Sequence, residues 1–99
     1  ILAKPGDLTI HLRAQTQSQA ESDRLVAELG GKLEPMLGNR IYSRDGSSLE
    51  AVVLDQLVSR GETVAVAESL TAGMLGARFG GVPGASKAFV GGLITYSDS

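Results

Sequence analysis

Residues 63–67 and 89–96 are two short, almost wholly apolar runs, the first carried by Val64 and Val66, the second by Phe89, Val90, Leu93 and Ile94. Runs of this length and composition read as strands covered on both faces, the kind found in parallel sheets. The stretch between residues 67 and 89 is long enough for a helical crossover. The two strands can therefore run parallel, joined by a right-handed connection. The helix of that crossover begins in the turn after Ala67 and extends to about Phe79, where Gly80, Gly81, Pro83 and Gly84 break it. The pair Gly91-Gly92 inside the second run marks a bulge or a close approach of backbone. These features set the fold class as α/β.

The flanking sequence extends this pattern. Ser47, Ser48 and Glu50 fit a capping box that opens a helix, with Leu49, Val53 and Leu57 as its apolar stripe. Arg60 in the last turn and Gly61 after it suit the dipole and the left-handed cap that close a helix. Upstream, residues 7–13 alternate: Leu8, Ile10 and Leu12 share one face, Thr9, His11 and Arg13 the other, as in a half-buried strand. Pro5-Gly6 before them is turn chemistry. Leu25, Leu29, Leu33 and Leu37 recur every four residues as an amphipathic helix, weakened at Gly30-Gly31 and kinked or ended near Pro35. Residues 40–44 read as a short strand. Residues 1–46 are thus expected to be β-α-β and residues 47–99 α-β-α-β, with the boundary in the small, polar stretch 45–48. A two-stranded sheet is not a finished domain, so the second region reads as the truncated opening of one.

Composition narrows the function classes. The 99 residues contain no cysteine and one histidine, which removes disulfides and makes a structural zinc site untenable. No apolar run approaches the ~18 residues that a membrane span requires. The net charge of −2 argues against an electrostatic grip on nucleic acid. A cytoplasmic protein handling small molecules, with no cofactor indicated, is the plain expectation.

The best candidate for chemistry is the strand-to-helix turn Glu68-Ser69-Leu70-Thr71-Ala72-Gly73. The first N–H groups of a helix lack intrahelical partners and favour an anion, and ligands of open α/β sheets gather at the C-terminal ends of strands. A serine or threonine at such a place is also an ordinary N-cap, and both readings stand at this level. Ser69 as a nucleophile needs a base. The single histidine, His11, lies on the polar face of a strand in the other region. Tyr96 and Lys87 remain; parallel strands would bring Tyr96 to the same sheet edge as Ser69, although an aromatic end-plug is an equal reading of Tyr96 and a solvated side chain the plainer one of Lys87.

Three segments in order, Val66-Ala67-Glu68-Ser69-Leu70-Thr71-Ala72-Gly73, then Val82-Pro83-Gly84-Ala85-Ser86, then Gly91-Gly92-Leu93-Ile94-Thr95-Tyr96-Ser97, resemble the successive signatures that open the C-terminal domain of the CinA family. The family often has glycine where this chain has Ala72. Residues 2–7 leading into a strand resemble the late part of the family's KH-like middle domain. The resemblance implies the end of a KH-like domain over residues 1–46 and the start of a three-layer α/β/α amidohydrolase domain over residues 47–99. It implies hydrolysis of the carboxamide of nicotinamide mononucleotide to nicotinate mononucleotide and ammonia, in a protein expected to be a homo-oligomer. Position by position, Ser69 matches the proposed catalytic serine and Tyr96 the active-site tyrosine. Glu68, Thr71, Ala72 and Gly73 match the substrate-binding turn, whose helix start would hold either the developing oxyanion or the 5′-phosphate. The family's catalytic lysine would lie a few residues beyond Tyr96, so this fragment is expected to be inactive alone. The alternatives are a KH-like nucleic-acid-binding module, for which the chain offers only Gly30-Gly31 in place of a GXXG loop, and a purely structural module.

Overall fold

A computed structural model describes residues 1–98. The chain divides into two compact units, Ile1–Gly46 and Ser47–Ser99.

The first unit opens with an antiparallel hairpin of β1 (Leu2–Lys4) and β2 (Asp7–Thr9), closed by Pro5-Gly6. The alternating segment 7–13 is therefore a ladder only as far as Thr9, because β1 is three residues long and offers no further partner. The alternation itself persists beyond the ladder: Ile10, Leu12 and Ala14 are half-buried while His11, Arg13 and Gln15 are exposed. Leu12 lies over Gly30, where an added Cβ would meet Leu12 Cδ1 at 3.7 Å. Helix α1 (Gln19–Leu37) starts at Ser18, whose hydroxyl accepts from the Glu21 N–H, and carries Pro35 within its last turn before stopping at Gly38. Its more covered face is Ser22, Val26, Gly30, Leu33 and Leu37, one step round from the leucine repeat, so Leu25 and Leu29 stand exposed.

Residues 40–44 are not a strand, and the first unit runs β-β-α instead of β-α-β. A strand needs a ladder partner, and among the described residues this segment has none; its side chains tie it to neighbouring elements instead. After a 3-10 turn (Gly38–Arg40), the Tyr42 hydroxyl donates to Asp7 of the hairpin, and Arg44 Nε donates to Glu34 Oε1 of α1 at 2.8 Å.

The second unit runs α2 (Leu49–Arg60), β3 (Val64–Glu68), α3 (Met74–Gly80) and β4 (Phe89–Ile94), with a 3-10 turn (Ala85–Lys87) before β4. The cap of α2 is Ser48, accepting from the Ala51 N–H at 3.3 Å, while Glu50 pairs with Arg78 of α3 at 2.7 Å. Gly61 ends the helix in the left-handed region, as the sequence predicts. Strands β3 and β4 are parallel. Their register shifts between Val64 and Ala65: Val64 pairs with Phe89, but Ala65 pairs with Gly91, leaving Val90 as the extra residue of a bulge. Close approach follows at Gly92, where an added Cβ would fall 2.6 Å from Val66 Cγ2.

Leu54, Phe79, Ala85 and Ala88 form the core, with Val53, Leu57, Val64, Val66, Val82 and Phe89 packed around them. The Phe79 and Phe89 rings are tilted, with centroids 5.6 Å apart. The helices cover only one side of the strands. Val64, Val66 and Glu68 of β3 are covered, whereas Ala65 and Ala67 are exposed in this chain, as is Leu93 of β4 at 70%. Among the described residues no helix is long and apolar enough to cross a membrane.

Candidate functional site

The C-terminal edge of the parallel pair is built around Glu68. This last residue of β3 stands opposite Ile94, and its carbonyl accepts from the Thr95 N–H at 2.7 Å and from Thr95 Oγ1 at 3.4 Å. The side chain turns inward and is 5% exposed. Glu68 Oε1 accepts from Thr71 Oγ1 at 2.7 Å and from the Leu75 N–H at 2.7 Å; Oε2 accepts from the Gly76 N–H at 2.9 Å. The Thr71 hydroxyl, ahead of the N–H groups of Gly76, Leu75 and Gly73, holds the carboxyl below the ordinary glutamate range, against the upward push of burial.

This arrangement changes the electrostatics expected of the turn. The N–H groups that a bound anion would use are bonded within the chain. Ala72 N–H donates to the Ser69 carbonyl, Met74 N–H to the Thr71 carbonyl and Ala77 N–H to the Gly73 carbonyl, while Leu75 and Gly76 donate to Glu68. Glu68 supplies the negative charge that the start of α3 favours. No residue of the turn caps α3 in the usual way: the N-cap is Gly73, without a side-chain bond.

Between β3 and α3 the backbone is forced into a tight path. Ala72 has φ 49° and Gly73 φ 98°, and Ala72 is the non-glycine residue with positive φ among the described residues. Only glycine enters this region without cost, and an alanine there gives up roughly 1 kcal/mol. Gly73 has a second constraint, since an added Cβ would stand 2.9 Å from Ile94 Cδ1. Gly76 passes close to the carboxylate, with an added Cβ 3.3 Å from Glu68 Oε2.

Ser69 follows β3 directly and is exposed; Tyr96 follows β4 by two residues and is 66% exposed. The parallel register puts both at one edge of the sheet. Neither hydroxyl has a hydrogen-bond partner among the described residues. Around them Leu70 is 87% and Met74 64% exposed. Lys87 is exposed in the 3-10 turn before β4, at the opposite end of that strand, and His11 is exposed in the first unit. Thr95 and Gly76 are members of this edge that residue type alone did not single out. Their signal is relational: an acidic residue ending a strand, followed by small residues that let a helix start fold back onto it.

The C-terminal half of the chain, residues 46–99, matches the family model described as the CinA C-terminal domain. A CinA-like protein of Solibacter usitatus is 54% identical over 98 residues, covering 99% of this chain and 24% of that protein. A putative competence-damage inducible protein of Desulforudis audaxviator is 41% identical over 97 residues, covering 98% of this chain and 24% of its own length. A CinA-like protein of Koribacter versatilis is 39% identical over 98 residues, again 24% of its own length. The chain thus spans a minor part of the curated relatives it matches.

Proposed function

The chain belongs to the CinA family, and on that premise we propose that residues 47–99 contribute the serine edge of an amidohydrolase acting on nicotinamide mononucleotide. The observation that carries this reading is the placement of Ser69 and Tyr96 at one edge of a parallel sheet, both exposed and neither hydroxyl hydrogen-bonded among the described residues. In the same reading residues 1–46 end a KH-like middle domain. The whole protein is a cytoplasmic homo-oligomer that works without a cofactor.

In the proposed reaction Ser69 Oγ attacks the carboxamide carbon and loses its proton to a relay of Tyr96 and the lysine that the family resemblance implies beyond it. That proton passes to the amide nitrogen, the C–N bond breaks, and ammonia leaves with the nicotinoyl group esterified to Ser69. Water then attacks the ester, its proton returns to Ser69 Oγ, and nicotinate mononucleotide is released. Glu68, Thr71, Ala72 and Gly73 form the turn that the substrate approaches. With the α3 N–H groups bonded to Glu68, neither the oxyanion nor the 5′-phosphate is assigned to them.

The test is ammonia release from nicotinamide mononucleotide by a protein of full family length carrying this chain, beside its Ser69→Ala and Tyr96→Phe variants. Ser69→Ala is expected to lower kcat by about 10³-fold or more. Turnover unchanged in Ser69→Ala would remove the serine from the mechanism.

A further inference from the structure

We propose that Glu68 is a positioning residue, standing where a bound anion would otherwise sit at the start of α3 and thereby fixing the turn that aims Ser69. The proposal rests on the amidohydrolase reading for its chemistry but on the geometry of the turn for its substance.

The first support is the number of independent elements that Glu68 joins. Its carbonyl is tied to β4 through Thr95, and its carboxylate to the turn through Thr71 and to α3 through Leu75 and Gly76. Ser69 is the next residue in the chain. Its backbone is therefore held from both sides, by the strand ladder before it and by the Thr71 bond after it. Both carboxylate oxygens are used, so the side chain has no freedom to rotate without losing bonds to backbone N–H groups in a covered site.

The second support is the strain that these bonds hold in place. Ala72 at positive φ, directly before Gly73 at positive φ, carries the steric cost of a non-glycine residue in the left-handed region, and such a conformation persists where its surroundings hold it. The Thr71 hydroxyl and the N–H groups of Leu75 and Gly76 bracket those two residues, and all three donate to Glu68.

The third support is that the seat is shaped for this side chain. Gly76 leaves room at Oε2, where a Cβ would press to 3.3 Å. A glutamine at position 68 has nearly the same shape but must aim an NH₂ group at donors, since Thr71, Leu75 and Gly76 all donate. Catalysis is sensitive to displacements of this kind, with misplacement of about 1 Å costing about 100-fold.

The experiment compares unsubstituted full-length protein with Glu68→Gln, Thr71→Val and Thr71→Ser. Glu68→Gln is expected to lower kcat for ammonia release by about 10–100-fold with KM within about twofold, and Thr71→Val to lower it by about tenfold. Thr71→Ser restores the hydroxyl and is expected to restore kcat. A parallel measurement follows covalent labelling of Ser69 by a fluorophosphonate, which needs an aimed serine but no nicotinamide substrate, and is expected to slow in step with kcat. If unsubstituted protein releases no ammonia yet labels at Ser69 faster than Glu68→Gln, the substrate reading fails and the positioning role stands. Equal labelling in all variants, or none in unsubstituted protein, overturns the positioning role. So does failure of Thr71→Ser to restore kcat, or a rise in KM with kcat unchanged. Should Glu68→Gln not fold, the two Thr71 variants decide the matter alone.

Discussion

The carboxylate of Glu68 accepts the N–H of Gly76 at 2.9 Å across a separation of eight residues. A helix start usually finds its cap in the residue just before it. Here the cap comes from the end of the preceding strand, and the turn between them carries Ser69.

That bond has a pH signature. The folded carboxyl of Glu68 is held below the ordinary range, chiefly by the Thr71 hydroxyl. A depressed acid stabilises the fold above the unfolded value, and this contribution is lost as pH falls through the folded value. Melting temperature should therefore drop as the solution is acidified below about pH 4. Glu34, lowered by its hydrogen bond with Arg44, contributes in the same direction from the first unit. Glu34→Gln isolates that part, and Glu68→Gln should flatten what remains in a melting series against pH.

Ala72 at φ 49° is a place where the fold tolerates a cost. Ala72→Gly removes the steric penalty but adds freedom to the unfolded chain, so the net gain is expected to be at most about 1 kcal/mol. Ala72→Val adds a branched Cβ to the same conformation and should destabilise by about 1–2 kcal/mol. Denaturant midpoints for the two variants should move in opposite directions.

Gly92 sits against Val66 with no space for a methyl group. An alanine there would meet Val66 Cγ2 at 2.6 Å and the Val66 carbonyl oxygen at 3.1 Å, and the second of these is backbone. Gly92→Ala should cost about 1–3 kcal/mol and separate β3 from β4. Faster hydrogen exchange at the amides of the β3–β4 ladder would register it.

Ser48 caps α2 by accepting from Ala51. Ser48→Ala should cost about 1 kcal/mol, and Ser48→Asp should largely restore it through the same acceptor geometry and the helix dipole. Circular dichroism during denaturation reads both.

Local signals carried much of the second unit. The close of α2 at Arg60 and Gly61, the parallel strands and the glycine disturbance in β4 all follow from short-range chemistry visible in the residues themselves. The first unit was less legible. Residues 40–44 look like a strand because Ile41 and Tyr42 favour extended backbone, but strand formation depends on a partner that residue type does not reveal. Alternation over residues 7–13 marks β2, but its partner β1 (Leu2–Lys4) is three residues long, too short a run for alternation to register. At the candidate site, Ser69 and Tyr96 are marked by position at strand ends. The role of Glu68 is not, because beyond the Thr71 hydroxyl its carboxylate partners lie seven and eight residues downstream and are backbone N–H groups, which almost every residue possesses. Within this chain Val64 and Val66 meet the helices, while Ala65 and Ala67 lie on the other face of β3.

The bulge at Val90 acts as a parity switch. Phe89 packs into the core and Ile94 reaches Gly73 at the start of α3, so both lie on the helix side although their positions in the chain differ by an odd number. In an unbroken strand they would face opposite ways. The extra residue resets the count, and the rest of the ladder as far as Ile94 inherits the new phase. Deleting Val90 would leave every existing pair in place and put Phe89 and Ile94 at even spacing in an unbroken ladder, still on one side, whereas drawing Val90 into the ladder with the chain intact would turn Ile94 away from Gly73.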